Sequence, residues 1–420
     1  MGRRQPASGR PRLTPDRPLG ASYRRLLAAA GLSNFGDGVF QLALPLLALR
    51  ITRSPAAVAA VTLAARLPWL VLGVLAGAIA DRVDRRSMMV RVGLSRAALI
   101  GGLAAVTAVE REQLWMVYAV ALLLGVGETL FDTSSQSLMP SIVPGDDLSR
   151  ANGRLYGVEM VANQFLGPPA AGVLIGLSVA LAFTTSAIAF LGASIALVGM
   201  SGSFRPERVG PRAGLRADVV DGLRFLARHR VLRTLSLMSC VSLLSSTAAF
   251  ALFPVFAVAP GPLGLSEAGF GLLLTTAALG SLASSATVER VEGRLGRQRT
   301  LLVAIGIDAV AIAVLATGHL AVAVVVGFSL GFSQVLWQVV AVSLRQRITP
   351  DELRGRVNGA HRTLALGGMA AGAGLGGALS EVFGIRAVLV GSGIATLSLL
   401  LLLPVVDEEA IAAAEAQVAR

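Results

Sequence analysis

Polar and apolar positions along this chain alternate on the scale of a membrane crossing. Twelve apolar runs can be read, at roughly 25–49, 56–80, 88–109, 114–138, 153–176, 179–200, 234–259, 267–288, 300–318, 320–344, 357–379 and 385–406. A helix through the hydrocarbon core of a bilayer needs about 20 apolar residues. Each run meets that length, so the pattern predicts an all-α integral membrane protein of twelve transmembrane helices, with His319 marking the break between spans 9 and 10.

The polar positions carry a second signal. Gly125–Gly153 aligns without a gap onto Gly331–Gly359, and nine positions are identical: Gly331, Leu336, Ser343, Leu344, Ile348, Pro350, Arg356, Asn358 and Gly359. The stretch after span 2, Asp81-Arg82-Val83-Asp84-Arg85-Arg86, is echoed after span 8 by Glu289-Arg290-Val291-Glu292-Gly293-Arg294. Pro45 and Pro254 also fall in register. The chain therefore reads as two homologous sets of six spans, an architecture that places a substrate site between the two sets near the midplane. The expected division is a disordered tail at 1–23, a first bundle at 24–202, a linker at 203–233, a second bundle at 234–406 and a tail at 407–420.

Composition agrees with a membrane protein: 54% of the 420 residues are hydrophobic, 15% are charged and the mean hydropathy is +0.70,. The net charge of +12 does not point to nucleic acid, because of where the charge lies. All 37 basic residues are Arg, and they gather after spans 2, 4, 6, 8 and 10. Segment 203–233 alone holds eight Arg against three acids. By the positive-inside rule this arginine-rich face is cytoplasmic, with both termini, in a multi-pass protein of the cell membrane. Within that segment Leu215, Val219, Leu223 and Leu226 recur at helical spacing. They predict an amphipathic helix on the membrane surface, with a solvated linker helix as the alternative.

Several chemistries are excluded. A chain without Lys cannot form a Walker A loop. The single Cys240 allows no internal disulfide, and His229, His319 and His361 are too scattered for a metal site,. No HExxH motif occurs. Neither an enzyme, a metal nor a cofactor is expected; the partners are the lipid bilayer, protons and a small-molecule substrate, and the protein is expected to act as a monomer.

An ionisable group in the hydrocarbon zone is a functional candidate by default. Span 1 carries Asn34, Asp37 and Gln41, span 4 carries Glu128, Asp132 and Gln136, and span 5 carries Glu159 and Asn163 after Asn152. Each set shares one helix side, so all three are expected to face one polar cavity, with Arg66 and Arg96 as counter-charges. Asp37, Glu128 and Glu159 are the candidates for proton coupling, and a structural ion pair with Arg66 or Arg96 is the alternative for each. In the second set the repeat replaces Glu128 and Asp132 by Gln334 and Gln338, with Trp337 between them. Asn34, Gln41, Arg66, Asn163, Gln334, Trp337 and Gln338 are the candidate cavity residues. Asp308, alone in span 9, and His361 and Arg362, at the start of span 11, read as structural and solvated.

Gly77-Ala78-Ile79-Ala80-Asp81-Arg82-Val83-Asp84-Arg85-Arg86 resembles the loop 2–3 signature of the major facilitator superfamily, with Ile79 and Asp84 departing from it. The resemblance implies that superfamily's fold of two pseudo-symmetric six-helix bundles. It further implies that Gly77, Asp81, Arg82, Arg85 and Arg86 form a gating latch, with Asp132 as a partner at the inner end of span 4. Gly167-Pro168-Pro169-Ala170-Ala171-Gly172 resembles the antiporter motif of drug exporters in Gly167, Pro168 and Gly172, although Asn163 and Ala171 replace two of its glycines. Gly222-Leu223-Arg224-Phe225-Leu226, Val231-Leu232-Arg233, and the stretch Phe131 to Asn152 are similar to the branch of macrolide-efflux and siderophore-exporter proteins. That likeness implies export of a small amphipathic compound by proton antiport. The alternatives are a nutrient importer or uniporter on the same fold, and a non-transporting sensor or assembly partner.

Overall fold

A computed structural model describes residues 19–80, 83–144, 147–200, 204, 215–350 and 353–418; of 73–80, 149, 215–221, 354–355 and 417–418 it describes the backbone alone. Among these residues twelve helices are long and apolar enough to cross a membrane. Spans 1–6 are Gly20–Ile51, Pro55–Ala80, Arg85–Ala108, Leu114–Ile142, Arg150–Leu177 and Val179–Val198. Spans 7–12 are Arg230–Ala257, Glu267–Leu295, Arg297–Leu315, Leu320–Arg347, Arg354–Phe383 and Ile385–Ser398, the last continued by a 3-10 turn to Val405.

Local chemistry sets the ends. Asp84 caps span 3, its Oδ1 accepting from Ser87 N at 2.7 Å, and its Oδ2 accepts from Phe204 N at 2.8 Å. The residue that departs from the loop signature is therefore an N-cap. Spans 9 and 10 separate at Gly318, whose φ of 74° suits a residue without Cβ.

The repeat is visible in packing. A Cβ on Gly125 would strike the Ala65 carbonyl of span 2, and one on Gly331 would strike the Ala277 carbonyl of span 8. Equivalent glycines thus let span 4 close on span 2 and span 10 close on span 8. Span 11 lays Gly368, Gly372 and Gly376 along Cys240, Leu244 and Ala248 of span 7, a small-residue stripe that brings two backbones together.

Span 5 is interrupted. Pro168 and Pro169 have no N–H to offer the preceding turn, and the helix widens into a π turn at Val161–Leu166 before resuming at Gly167,.

Two segments between and after the bundles are helical. Leu215–Arg228 packs on span 11, with Gly222 against the Arg356 backbone. Leu226, which the amphipathic pattern turns toward lipid, is buried in protein. In its described part the expected tail from 407 is helical: Glu408–Val418 is a helix, with Ile411 and Ala414 buried in a cluster with Val231, Leu232, Leu301 and Val406. Its alanines and Ile411 recur at helical spacing, and that stripe has apolar side chains to cover. Of the expected N-terminal tail, 1–18 lies outside the described residues and the helix is under way from Gly20.

The two bundles meet on the arginine-poor face. Arg50 of span 1 pairs with Glu267 of span 8. Glu381 of span 11 accepts from Ser54 Oγ at 2.5 Å and from Ala56 N at 3.2 Å. Gly172 of span 5 meets Gly271 of span 8, where a Cβ on the former would lie 2.8 Å from the Cα of the latter. Toward the arginine-rich face the bundles part around a cavity.

Candidate functional site

The cavity holds about 830 Å³ and is walled by spans 1, 2 and 5 of the first bundle and by spans 7–11 of the second. Its closed end is apolar, with Phe250, Phe253, Pro254 and Phe270. Its middle holds Gln41, Arg66, Asn163, Gln334, Trp337 and Gln338, six of the seven residues expected there. Arg345, Gln346, Asn358 and His361 line it near the arginine-rich ends of spans 10 and 11. The seventh, Asn34, hydrogen-bonds within its own helix to the Ala30 carbonyl at 3.0 Å, and its carbonyl accepts from Asn163 Nδ2 at 3.4 Å.

One carboxylate is joined to the cavity wall. Glu128 Oε1 lies 3.8 Å from Arg66 Nη1 and accepts from Gln41 Nε2 at 3.5 Å, while Arg66 Nη2 donates to Gln41 Oε1 at 3.3 Å. The three side chains come from spans 4, 2 and 1. Glu128 is held by long contacts, and its two partners both line the cavity.

Asp37 is placed elsewhere, and this corrects the expectation that its side chain faces the cavity. It forms an ion pair with Arg96 of span 3, both side chains almost fully buried inside the first bundle. Arg96 Nη1 also donates to Ser33 Oγ at 3.1 Å, and its guanidinium carbon sits 4.0 Å from the Phe190 ring centroid. The cause is Arg96 itself, because a guanidinium sealed among aromatic rings needs an anion. Asp37 is the acid on the facing helix, turned to the bundle side of the stripe whose other edge carries Gln41.

Asp132 and Glu159 interact electrostatically with each other, and Asp132 also with Arg96, Glu128 and, across the bundle interface, Arg362 of span 11. The Arg362 guanidinium carbon lies 4.7 Å from the Trp69 ring centroid of span 2.

Of the loop 2–3 set, Asp81 and Arg82 lie outside the described residues, and Gly77 is described in backbone only. Arg85 Nη1 donates to the Ser137 carbonyl at the end of span 4 at 2.8 Å. Arg86 donates to the carbonyls of Leu197 at 3.0 Å and Val198 at 2.6 Å, at the end of span 6. These arginines supply the cations that helix C-termini favour.

In span 5, a Cβ on Gly167 would lie 2.5 Å from Gly38 Cα of span 1. Pro168 lines the cavity, and Gly172 makes the contact with Gly271 across the bundle interface. Gly167 and Gly172 therefore serve backbone contact on two different sides, one within the bundle and one between bundles.

Among the cavity residues that reasoning from the sequence missed are Asp308, Arg345, Asn358, His361 and Arg362. Asp308 accepts from the Ser333 hydroxyl of span 10. Arg345 Nε donates to Asn358 Oδ1 at 2.9 Å, and His361 Nδ1 is 3.1 Å from Ser236 Oγ. The available signal was the run Asn358, His361, Arg362, Ala365, Met369, which lies along one side of span 11 and lines the cavity.

The family model of transmembrane secretion effectors matches residues 15–418. The multidrug efflux pump Tap of Mycolicibacterium fortuitum is 26% identical over 378 residues, covering 86% of this chain and 90% of that protein. Tap of Mycobacterium tuberculosis is 29% identical over 386 residues, covering 87% of each. Among solved structures, the nucleoside transporter NupG superposes with a TM-score of 0.75 at 12% identity, over 92% of this chain and 100% of that one. A bacterial homologue of the iron transporter ferroportin in its inward-facing state gives 0.70 at 17% identity, over 91% and 98%. These similarities show the major facilitator fold.

Proposed function

The chain belongs to the transmembrane secretion effector family of major facilitator transporters, and we propose that it exports a small amphipathic organic compound across the cell membrane by proton antiport. The arginine-rich face is cytoplasmic, so the cavity opens to the cytoplasm and the Arg50–Glu267 face closes off the exterior. Export is the direction suggested by relatives named as multidrug efflux pumps.

The observation that carries the proton step is the Gln41–Arg66–Glu128 cluster. Glu128 stands beside the cavity, and the two side chains it holds are cavity side chains. With Glu128 ionised, Arg66 is drawn to the wall. A proton on Glu128 removes the charge that Arg66 answers, so proton and substrate act on the same two residues and can exchange with each other. Asp132 and Glu159 extend this acidic patch toward Arg362 of the other bundle, and rocking of the bundles would expose it to either side in turn. One charge crossing 100 mV is worth about 2.3 kcal/mol, enough for roughly a fifty-fold gradient of a neutral substrate.

Proteoliposomes with a trapped pH dye test this reading, using macrolides, siderophores and cationic dyes as substrates. Wild type moves protons against some substrate, and Glu128→Gln abolishes the proton flux while retaining substrate binding. Substrate movement without proton movement in wild type would make the protein a facilitator.

A further inference from the structure

We propose that the cavity takes an amphiphilic anion, with an aromatic or otherwise apolar body at the closed end and the anionic group facing Arg345 and Arg362 near the mouth. This rests on the export of an amphipathic compound proposed above and narrows its chemical class.

The cavity is graded along its length. At the closed end Phe253 meets Phe270 edge-on at 5.3 Å and Phe250 at 6.1 Å. Phe250 and Phe253 also wall an apolar recess that runs between spans 7–10 past Leu273, Ile312 and Val326. An aromatic body fits such surroundings, since ring pairs favour this edge-to-face arrangement. Toward the mouth the lining changes to Arg345, Asn358, His361 and Arg362.

Glu128, the carboxylate joined to the cavity wall, already has a cation. It is answered by Arg66 and Gln41, whereas Asp308 bonds to the neutral Ser333 hydroxyl, twelve residues along span 10 from Arg345. Asp132 is within electrostatic reach of Arg96 and Arg362, and also of Glu128 and Glu159. Near the mouth Arg345 also bonds to a neutral partner, Asn358, and among the described residues no carboxylate forms an ion pair with it. A guanidinium partly withdrawn from water without an anion is costly, and its planar fork suits a carboxylate, sulfonate or phosphate. A cationic amphiphile entering apolar end first would bring its charge to rest beside Arg345 and Arg362.

The test uses the full-length protein in phosphatidylcholine nanodiscs and three probes with one naphthalene body: 1-naphthalenesulfonate, 1-naphthalenemethanol and (1-naphthylmethyl)trimethylammonium. By calorimetry the sulfonate binds about tenfold or more tightly than the other two, as a charge-assisted hydrogen bond predicts. Arg345→Gln brings the sulfonate down to the affinity of the alcohol, Arg345→Lys keeps a preference, and Phe253→Ala weakens all three. Equal or tighter binding of the ammonium, or a preference that survives Arg345→Gln, overturns the proposal. Replacing half the lipid by phosphatidylglycerol separates two sources of the same chemistry. Competition with the sulfonate assigns the site to an anionic lipid headgroup, and unchanged affinity assigns it to a soluble anion. In proteoliposomes, movement of the alcohol or the ammonium but not the sulfonate sinks the anion while export stands. Tight sulfonate binding with no movement of any probe sinks export while the anion site stands.

Discussion

Arg50 at the end of span 1 grips both carboxylate oxygens of Glu267 at the start of span 8, Nε to Oε1 at 2.8 Å and Nη2 to Oε2 at 2.6 Å. The pair joins the two bundles on the arginine-poor face, beside the Gly172–Gly271 contact. Arg50 is nearly half exposed, so water screens the pair and it is worth only about 0.2–1 kcal/mol. That is still about a 1.4- to 5-fold change in a two-state equilibrium. Glu267→Gln is expected to raise the population open on this face by that factor. Spin labels at Thr52 and Leu265 in a Cys240→Ser background would report it as a second, longer distance. An unchanged distance distribution would mean that glycine packing alone holds the face shut.

Asp37 and Arg96 are paired where no water reaches. Breaking a buried pair by removing one partner costs about 3–5 kcal/mol, whereas replacing both by apolar residues is often tolerated. Asp37→Asn is therefore expected to lower the thermal stability of the purified protein sharply. Asp37→Leu combined with Arg96→Met should recover much of the loss. Should Asp37→Asn melt like wild type and lose only proton movement, Asp37 would be a proton carrier after all.

The contrast between Asp37 and Glu128 shows how far the sequence could be read. Span positions and the duplication were legible, because bilayer thickness and close glycine contacts act on local pattern. Gly125 and Gly331, matched first as letters, hold equivalent helix crossings. Polar stripes were legible too, but a stripe is wider than a cavity wall. Gln41 and Asp37 are neighbours on one helix side, and which of them meets the cavity is decided by Arg96 on another span, a tertiary fact. The same limit hid Arg345 and Arg362. Near a helix end an arginine is explained equally well by membrane orientation, and only the opening between the bundles turns these two inward.

His229 offers a handle on pH. Its Nδ1 accepts from Leu232 N at 3.3 Å and so caps span 7, which requires that nitrogen to be unprotonated. Burial pushes the imidazole below its ordinary value. The folded protein then binds the proton less readily than the unfolded chain does. The cap's contribution is complete above about pH 6.5, the value of a free histidine, and is lost as the pH falls toward the folded-state value. His229→Asn supplies a cap that does not titrate, and the melting temperature should then fall less steeply between about pH 7.5 and 5. Parallel slopes for the two proteins would show that some other group controls this range.

The C-terminal helix completes the second bundle. Span 9 opens at Gly296, which has no side chain to cap it, and Glu408 supplies the missing acceptor, Oε1 to Gln298 N at 3.1 Å. Glu415 accepts from Arg297 Nη1 at 2.9 Å and lies 3.9 Å from Arg347 Nη1 at the end of span 10. Ile411 fills the cluster between these ends. Loss of a cap costs about 1 kcal/mol, and loss of a buried isoleucine about 2–5 kcal/mol. Glu408→Ala should therefore be mild, Ile411→Ala harsher, and truncation after Val406 the most severe. Hydrogen exchange at 296–300 reads the effect where it acts, and faster exchange there should precede any change in spans 1–6. Uniform loosening of both bundles on truncation would argue instead that the helix acts on the assembly as a whole.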